Sequence, residues 1–198
     1  MLISLSHKFI FVANLKSASS SIERALSSHA QFRATKTGWG KHDDLSTIST
    51  KFGWVDKHIP REEFFIFGVI RDPVDFILSL YNFHTGPSFE GKKHSSKGVA
   101  FDHFLHNWCV TSWQAKLQHP RFIDRRGKFQ ISHVIEFSQL ETEFRQICSR
   151  LGLKATLPRV NVSPEQLSRD DLTADQISEI KTRYAEDYAF IESRPRTF

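Results

Sequence analysis

The stretch Lys8-Phe9-Ile10-Phe11-Val12-Ala13-Asn14-Leu15-Lys16-Ser17-Ala18-Ser19-Ser20-Ser21-Ile22 decides how the rest of the chain is read. Residues 8–14 form a short apolar run of strand length and composition. The run passes directly into Lys16 and the small residues Ser17, Ala18, Ser19, Ser20 and Ser21, and an amphipathic helical pattern follows over 20–28. A strand that ends in small residues and feeds a helix N-terminus makes a phosphate cradle. Its unpaired N–H groups point outward and the helix dipole favours negative charge. Lys16 adds a point charge where a phosphate would lie. The stretch predicts a nucleotide-type anion site.

Working outward, Phe64-Phe65-Ile66-Phe67-Gly68-Val69-Ile70 is a continuous apolar run, as expected of a parallel strand buried on both faces. It ends at Arg71-Asp72-Pro73, where Pro73 suits the first turn of a helix and Asp72 its cap. Phe76, Ile77, Leu80, Tyr81 and Phe83 then mark a packed helical face. Gly38-Trp39-Gly40 breaks the chain ahead of a short helix capped by Asp43 or Asp44. Residues 85–99, rich in Gly, Ser, Lys and His, read as a long exposed loop. Helix is expected over 101–113, strand over 131–137, helix over 140–151 ended by Gly152, and a last helix over 174–191. Strands alternating with helices predict an α/β fold with a mostly parallel central sheet flanked by helices, and residues 1–198 read as a single domain.

Composition narrows the classes. The chain has 198 residues, 39% of them apolar and 18 of them Phe, enough for a real core and too apolar for disorder. No apolar stretch approaches the roughly 20 residues of a membrane helix, and Lys16 follows the N-terminal run where a signal peptide would show a cleavage site. Two cysteines, Cys109 and Cys148, are too few for a disulfide framework and point to a reducing compartment, and the lack of an apolar anchor segment gives the expectation of a cytoplasmic protein. The net charge of +5 favours an anionic partner, but the charge is dispersed rather than blocked, which argues against nucleic acid.

No Gly-x-x-x-x-Gly-Lys-Ser/Thr is present: no glycine falls between Lys8 and Gly38, and Lys16 precedes the small residues. Two other segments carry a resemblance. Leu15-Lys16-Ser17-Ala18-Ser19-Ser20-Ser21 is similar to the 5′-phosphosulfate loop of sulfotransferases that use 3′-phosphoadenosine 5′-phosphosulfate (PAPS). Val69-Ile70-Arg71-Asp72-Pro73 through Ser79-Leu80-Tyr81 resembles their 3′-phosphate segment, in which a serine follows the arginine on the next helix. Val134 to Leu140, Asn161-Val162-Ser163 and Tyr184 to Phe190 resemble later segments of the family in the right order. The likeness is nearest to carbohydrate sulfotransferases and their small bacterial relatives, and covers most of the chain.

The resemblance implies a P-loop-like fold, PAPS as co-substrate, and transfer of a sulfuryl group to a hydroxyl acceptor, a carbohydrate. A sulfuryl group carries less negative charge than a phosphoryl group and no carboxylate pair is set to hold a metal, so no metal is expected to be required, and the hydropathy predicts no membrane partner. The resemblance also implies that Lys16, with Ser17, Ala18, Ser19, Ser20 and Ser21, holds the 5′-phosphosulfate, Lys16 also stabilising the leaving group. Arg71 and Ser79 would bind the 3′-phosphate, and Arg159 and Ser163 in the late turn would close on the nucleotide. His42 is the candidate base, because imidazole titrates near working pH and a histidine after the first helix serves this way in uronyl-type members. Leu15 replaces the usual proline and Phe76 an arginine common in the family. These departures keep two other classes open: a phosphotransferase with an atypical phosphate loop, and a non-catalytic relative that binds nucleotide or polyanion. Acceptor identity and oligomeric state stay open as well.

Several features have plainer readings. His103, His106 and Cys109 recur at three-residue spacing, but a packed helix with Phe101, Phe104, Leu105 and Trp108 explains them without a metal. Lys92, Lys93, His94 and Lys97 make either a solvated loop or a basic lip for an acidic acceptor.

Overall fold

A computed structural model describes residues 1–127, 129–160 and 166–197. Its sheet has five strands: β1 (Leu2–Ser4), β2 (Phe9–Val12), β3 (Phe32–Arg33), β4 (Phe65–Ile70) and β5 (His133–Glu136), in the order β3-β1-β2-β4-β5. The expected parallel arrangement holds across β2, β4 and β5, where Phe11 pairs with Phe67 and Gly68 with Val134. The other edge is antiparallel, β1 pairing with both β2 and β3. This edge was not expected. The β1–β2 hairpin turns through Lys8, a non-glycine residue at φ 51°, so no Gly or Asn-Gly signal marks it.

Between the strands run α1 (Ser19–Leu26), α2 (Leu45–Phe52), α3 (Pro73–His84), α4 (Phe101–His103), α5 (Cys109–Thr111), α6 (Leu140–Arg150), α7 (Ala174–Arg183) and α8 (Ala185–Ser193). Asp44 caps α2 by accepting from the Thr47 N–H at 2.7 Å. A π-helical turn, Phe104–Trp108, joins α4 to α5. The single last helix read from sequence is two: Tyr184, buried with its hydroxyl donated to the Ala115 carbonyl, closes α7 and opens α8.

Alternation along the strands divides the core. Phe9, Phe11, Phe67 and Val69 face α1 and α6 through Ile22, Leu26, Phe144 and Ile147. Ile10, Val12, Ile66 and Ile70 face α2 and Phe122 on the opposite side. Helix α3 forms a third cluster with the 101–109 helices and α7. Gly68 is needed where it stands. A Cβ there would collide with the Phe122 ring and come within 3.2 Å of the Val12 carbonyl, so the glycine makes room for the Phe122 ring against the sheet. Among the described residues no helix is long and apolar enough to cross a membrane.

The 85–99 loop is less free than its composition suggests. Ser96 is buried and donates to the Tyr81 carbonyl at 2.6 Å, and the Tyr81 hydroxyl donates to the Val99 carbonyl at 2.6 Å.

Candidate functional site

Where β2, β4 and β5 end at their carboxyl termini, a cleft of about 1220 Å³ opens. Leu15, Lys16, Ala18, Ser19, Ser20, Ser21, His42, Arg71, Ser79, Phe137 and Arg159 line it, with others. The fold therefore gathers nine of the eleven residues singled out from sequence. Ser17 is the first exception: it is fully buried and its hydroxyl donates to the Asn14 carbonyl at 3.0 Å, so it braces the loop and offers no hydroxyl to the cleft. Ser163 lies outside the described residues. The basic residues Lys92, Lys93, His94 and Lys97 do not line the cleft.

The loop after β2 bends through two left-handed non-glycine residues, Lys16 and Ala18, both at φ 54°. Each such residue costs about 1–2 kcal/mol, and strain of this kind gathers at ligand clamps. Ala18 is the N-cap of α1 and provides no side-chain cap, and the first turn holds no acidic residue. The serines that follow thus leave the positive end of the helix uncovered rather than capping it. The Ser20 hydroxyl accepts from Lys41 Nζ at 3.0 Å, and Lys41 is held in turn by Glu23 at 2.9 Å. Glu23 is buried and also receives the Met1 amino group at 2.8 Å. Because the Ser20 hydroxyl accepts from Lys41, its own hydrogen stays available to donate. Sequence reading passed over Lys41, although it stands beside His42.

Lys16 Nζ lies 3.9 Å from the centroid of the Phe83 ring. Burial, and secondly the charge of Arg71, push its ammonium down to about 8. Arg71 donates from one guanidinium nitrogen to the Lys16 carbonyl at 3.2 Å, and its Cζ lies 4.5 Å from the Phe137 ring centroid. Its Nε is buried without a hydrogen-bond partner among the described residues. Burial pushes the guanidinium below its usual range, with Asp75 and Asp72 opposing. Those two carboxylates are engaged elsewhere, pairing with Arg169 at 3.3 and 3.4 Å. Ser79 follows on the face of α3 that also presents Asp75, Leu78 and Asn82 to the cleft.

His42 places Nδ1 at 3.1 Å from the Ala13 carbonyl. A carbonyl accepts only, so Nδ1 carries the proton and Nε2 keeps its lone pair. Nε2 has no partner among the described residues and is not one of the buried unpaired atoms, so it is open to the cleft. Burial pushes the imidazole down to about 4, the Ala13 bond opposing. Arg121 fixes the backbone by donating to the His42 carbonyl at 2.6 Å.

The His103, His106 and Cys109 face is engaged within the protein. His106 contacts Glu179 at 2.9 Å, and Cys109 is a buried free thiol pushed up to about 12 by burial. Among the described residues, no three His, Cys, Asp or Glu side chains are grouped to hold a metal ion.

No protein-family model matches this chain, and no curated protein matches it. Among solved structures, a sulfotransferase from Alicyclobacillus acidocaldarius is similar over 94% of this chain and 94% of its own, at 16% sequence identity and a TM-score of 0.42. A likeness that faint assigns no role to any residue.

Proposed function

We propose that this chain is a sulfotransferase that moves a sulfuryl group from PAPS to a hydroxyl, on a saccharide acceptor. One observation carries the reading: two half-buried cations, Lys16 and Arg71, line one cleft close enough for Arg71 to depress the Lys16 ammonium. Like charges held near one another attract an anion to the space they share. The orphaned Arg71 Nε and the uncapped start of α1 add donors beside those charges. PAPS carries its negative charge at two separated points, and two separated donor sets suit it.

In this reading PAPS supplies an activated sulfuryl group, and the residues of the chain do the rest. The first N–H groups of α1 and the hydroxyls of Ser19, Ser20 and Ser21 hold the 5′ end. Lys16 neutralises the phosphate oxygen that leaves as the sulfur–oxygen bond breaks, which is stabilisation aimed at charge that develops in the transition state. Arg71 and Ser79 hold the 3′-phosphate, and Arg159 covers the nucleotide from the late segment. His42 Nε2 takes the proton of the acceptor hydroxyl as its oxygen bonds to sulfur. Adenosine 3′,5′-bisphosphate and a sulfated acceptor are the products. Trp113, 48% exposed, lines the same cleft and offers a flat apolar face to a sugar ring. The proposed compartment is the cytoplasm, because both cysteines are free and buried.

The test is incubation with PAPS and a panel of saccharides, following bisphosphate release and acceptor mass. Acceptor-dependent release that Lys16→Ala abolishes supports the reading. Transfer of phosphate from ATP that depends on magnesium would contradict it and favour the phosphotransferase.

A further inference from the structure

Backbone pairing between β2 and β4 ends at Val12 and Gly68. Beyond that point nothing in the sheet ladder fixes how far apart the two loops lie, yet a buried side-chain network does. Asn14 and Gln118 are each 1% exposed. Asn14 Nδ2 donates to the Val69 carbonyl at 3.2 Å and to Gln118 Oε1 at 2.9 Å, and its Oδ1 accepts from the Leu15 N–H at 2.8 Å. Gln118 Oε1 also accepts from the Arg71 N–H at 3.2 Å, and its Nε2 donates to the Arg71 carbonyl at 2.8 Å. Arg71 closes the ring by donating to the Lys16 carbonyl.

The amides have one consistent orientation. Turning Gln118 over would set its NH₂ against the Arg71 N–H and its oxygen against the Arg71 carbonyl. Gln118 is itself held from behind. Its N–H lies 2.9 and 3.0 Å from the two oxygens of Asp187, which is fully buried and also accepts from the His119 N–H and Nδ1. Asp187 belongs to α8, so the C-terminal helix anchors a side chain that joins both loops.

Resting on the proposed function, we infer that Gln118 is a positioning residue that sets the separation of the two anion sites, and so selects a ligand with negative charge at both ends. It touches neither charge. Its contribution is to the joint fit, as a linker of matched length makes two binding events one.

The test measures dissociation constants for adenosine 3′,5′-bisphosphate, adenosine 5′-monophosphate and adenosine 3′-monophosphate, on the native chain, Gln118→Met and Gln118→Asn. The native chain is expected to bind the bisphosphate at least about 100-fold more tightly than either monophosphate. In Gln118→Met that advantage falls by about 10-fold or more, while both monophosphates stay within about 2-fold of native, which also shows that the variant is folded. Gln118→Asn keeps an amide but is one methylene too short to span both loops, and should repeat the pattern. An unchanged bisphosphate constant, or equal weakening of all three ligands, overturns the inference while leaving the proposed function standing. No native preference for the bisphosphate removes both.

Discussion

The loops after β2 and β4 are built on the same plan, a parallel strand turning into a helix, and they treat the helix N-terminus in opposite ways. The α1 terminus is left uncapped, with Ala18 in the left-handed region and no acidic residue in the first turn. The α3 terminus is already satisfied: Asp72 accepts from the Val74 and Asp75 N–H groups at 2.9 and 3.2 Å, with Pro73 behind it and Asp75 in the first turn. A helix end holding its own carboxylates repels an anion, so the second loop needs the Arg71 guanidinium to bind one. The first loop needs only small residues and open N–H groups. On the proposed function, similar local folds would make two different sites, one for charge that moves during reaction and one for charge that stays.

This contrast is sharpest at Lys16. Lys16→Ala is expected to lower kcat by about 10²–10³-fold while changing bisphosphate affinity by less than about 10-fold. Arg71→Ala should do the reverse, raising KM for PAPS by about 10–100-fold with kcat nearly unchanged. Steady-state kinetics on both variants checks the pair, and the same kcat-to-KM split in each would mean the loops are interchangeable holders. Ser20→Asp writes the second loop's device into the first. It should add about 0.5 kcal/mol to stability in thermal melts through the helix dipole, and weaken adenosine 5′-monophosphate by about 10-fold in titration. Undiminished binding would show that the uncapped terminus is not where the anion sits.

Acid and base sharpen the comparison further. Because Lys16 titrates at about 8 in the free protein, kcat/KM should fall as pH rises above that value, and Lys16→Arg should abolish the fall at a lower overall rate. Toward acid, His42 and His84 both titrate at about 4 because burial disfavours their charged forms, against an ordinary 6.5. The unfolded chain then takes up protons first. Stability is full above about pH 6.5 and is lost as pH falls toward 4, by up to about 3 kcal/mol for each histidine. His84, at the end of α3, is fully buried with both ring nitrogens unpaired among the described residues. His84→Leu should remove its share of the acid loss in melts at pH 7 and pH 5, and an unchanged acid loss would refute that share.

What the sequence made legible was local. Lys16 to Ser21 and Arg71 to Pro73 announce themselves because strand end, loop and helix start are contiguous, and the Asp72 and Asp44 caps follow from the same short-range chemistry. The balance of the site was set across the chain. Gln118 joins Asn14 to Arg71, Arg169 pairs with Asp72 and Asp75, and Phe137 carries the guanidinium. None of these partners is near in sequence, and no periodicity marks them. The β1 edge was hidden by a hairpin that uses lysine where glycine is usual. His42 was legible as a type of residue, but its tautomer came only from the Ala13 carbonyl.

The central claim, that one cleft holds two distinct anion sites for a nucleotide phosphorylated at both ends, is tested most directly by metal-free calorimetry. Adenosine 3′,5′-bisphosphate, ADP and AMP would be titrated into the native chain and into Arg71→Ala. The account predicts tight binding of the bisphosphate alone, reduced in Arg71→Ala to the level of AMP. Equal affinity for ADP, or a bisphosphate constant indifferent to Arg71, would contradict it.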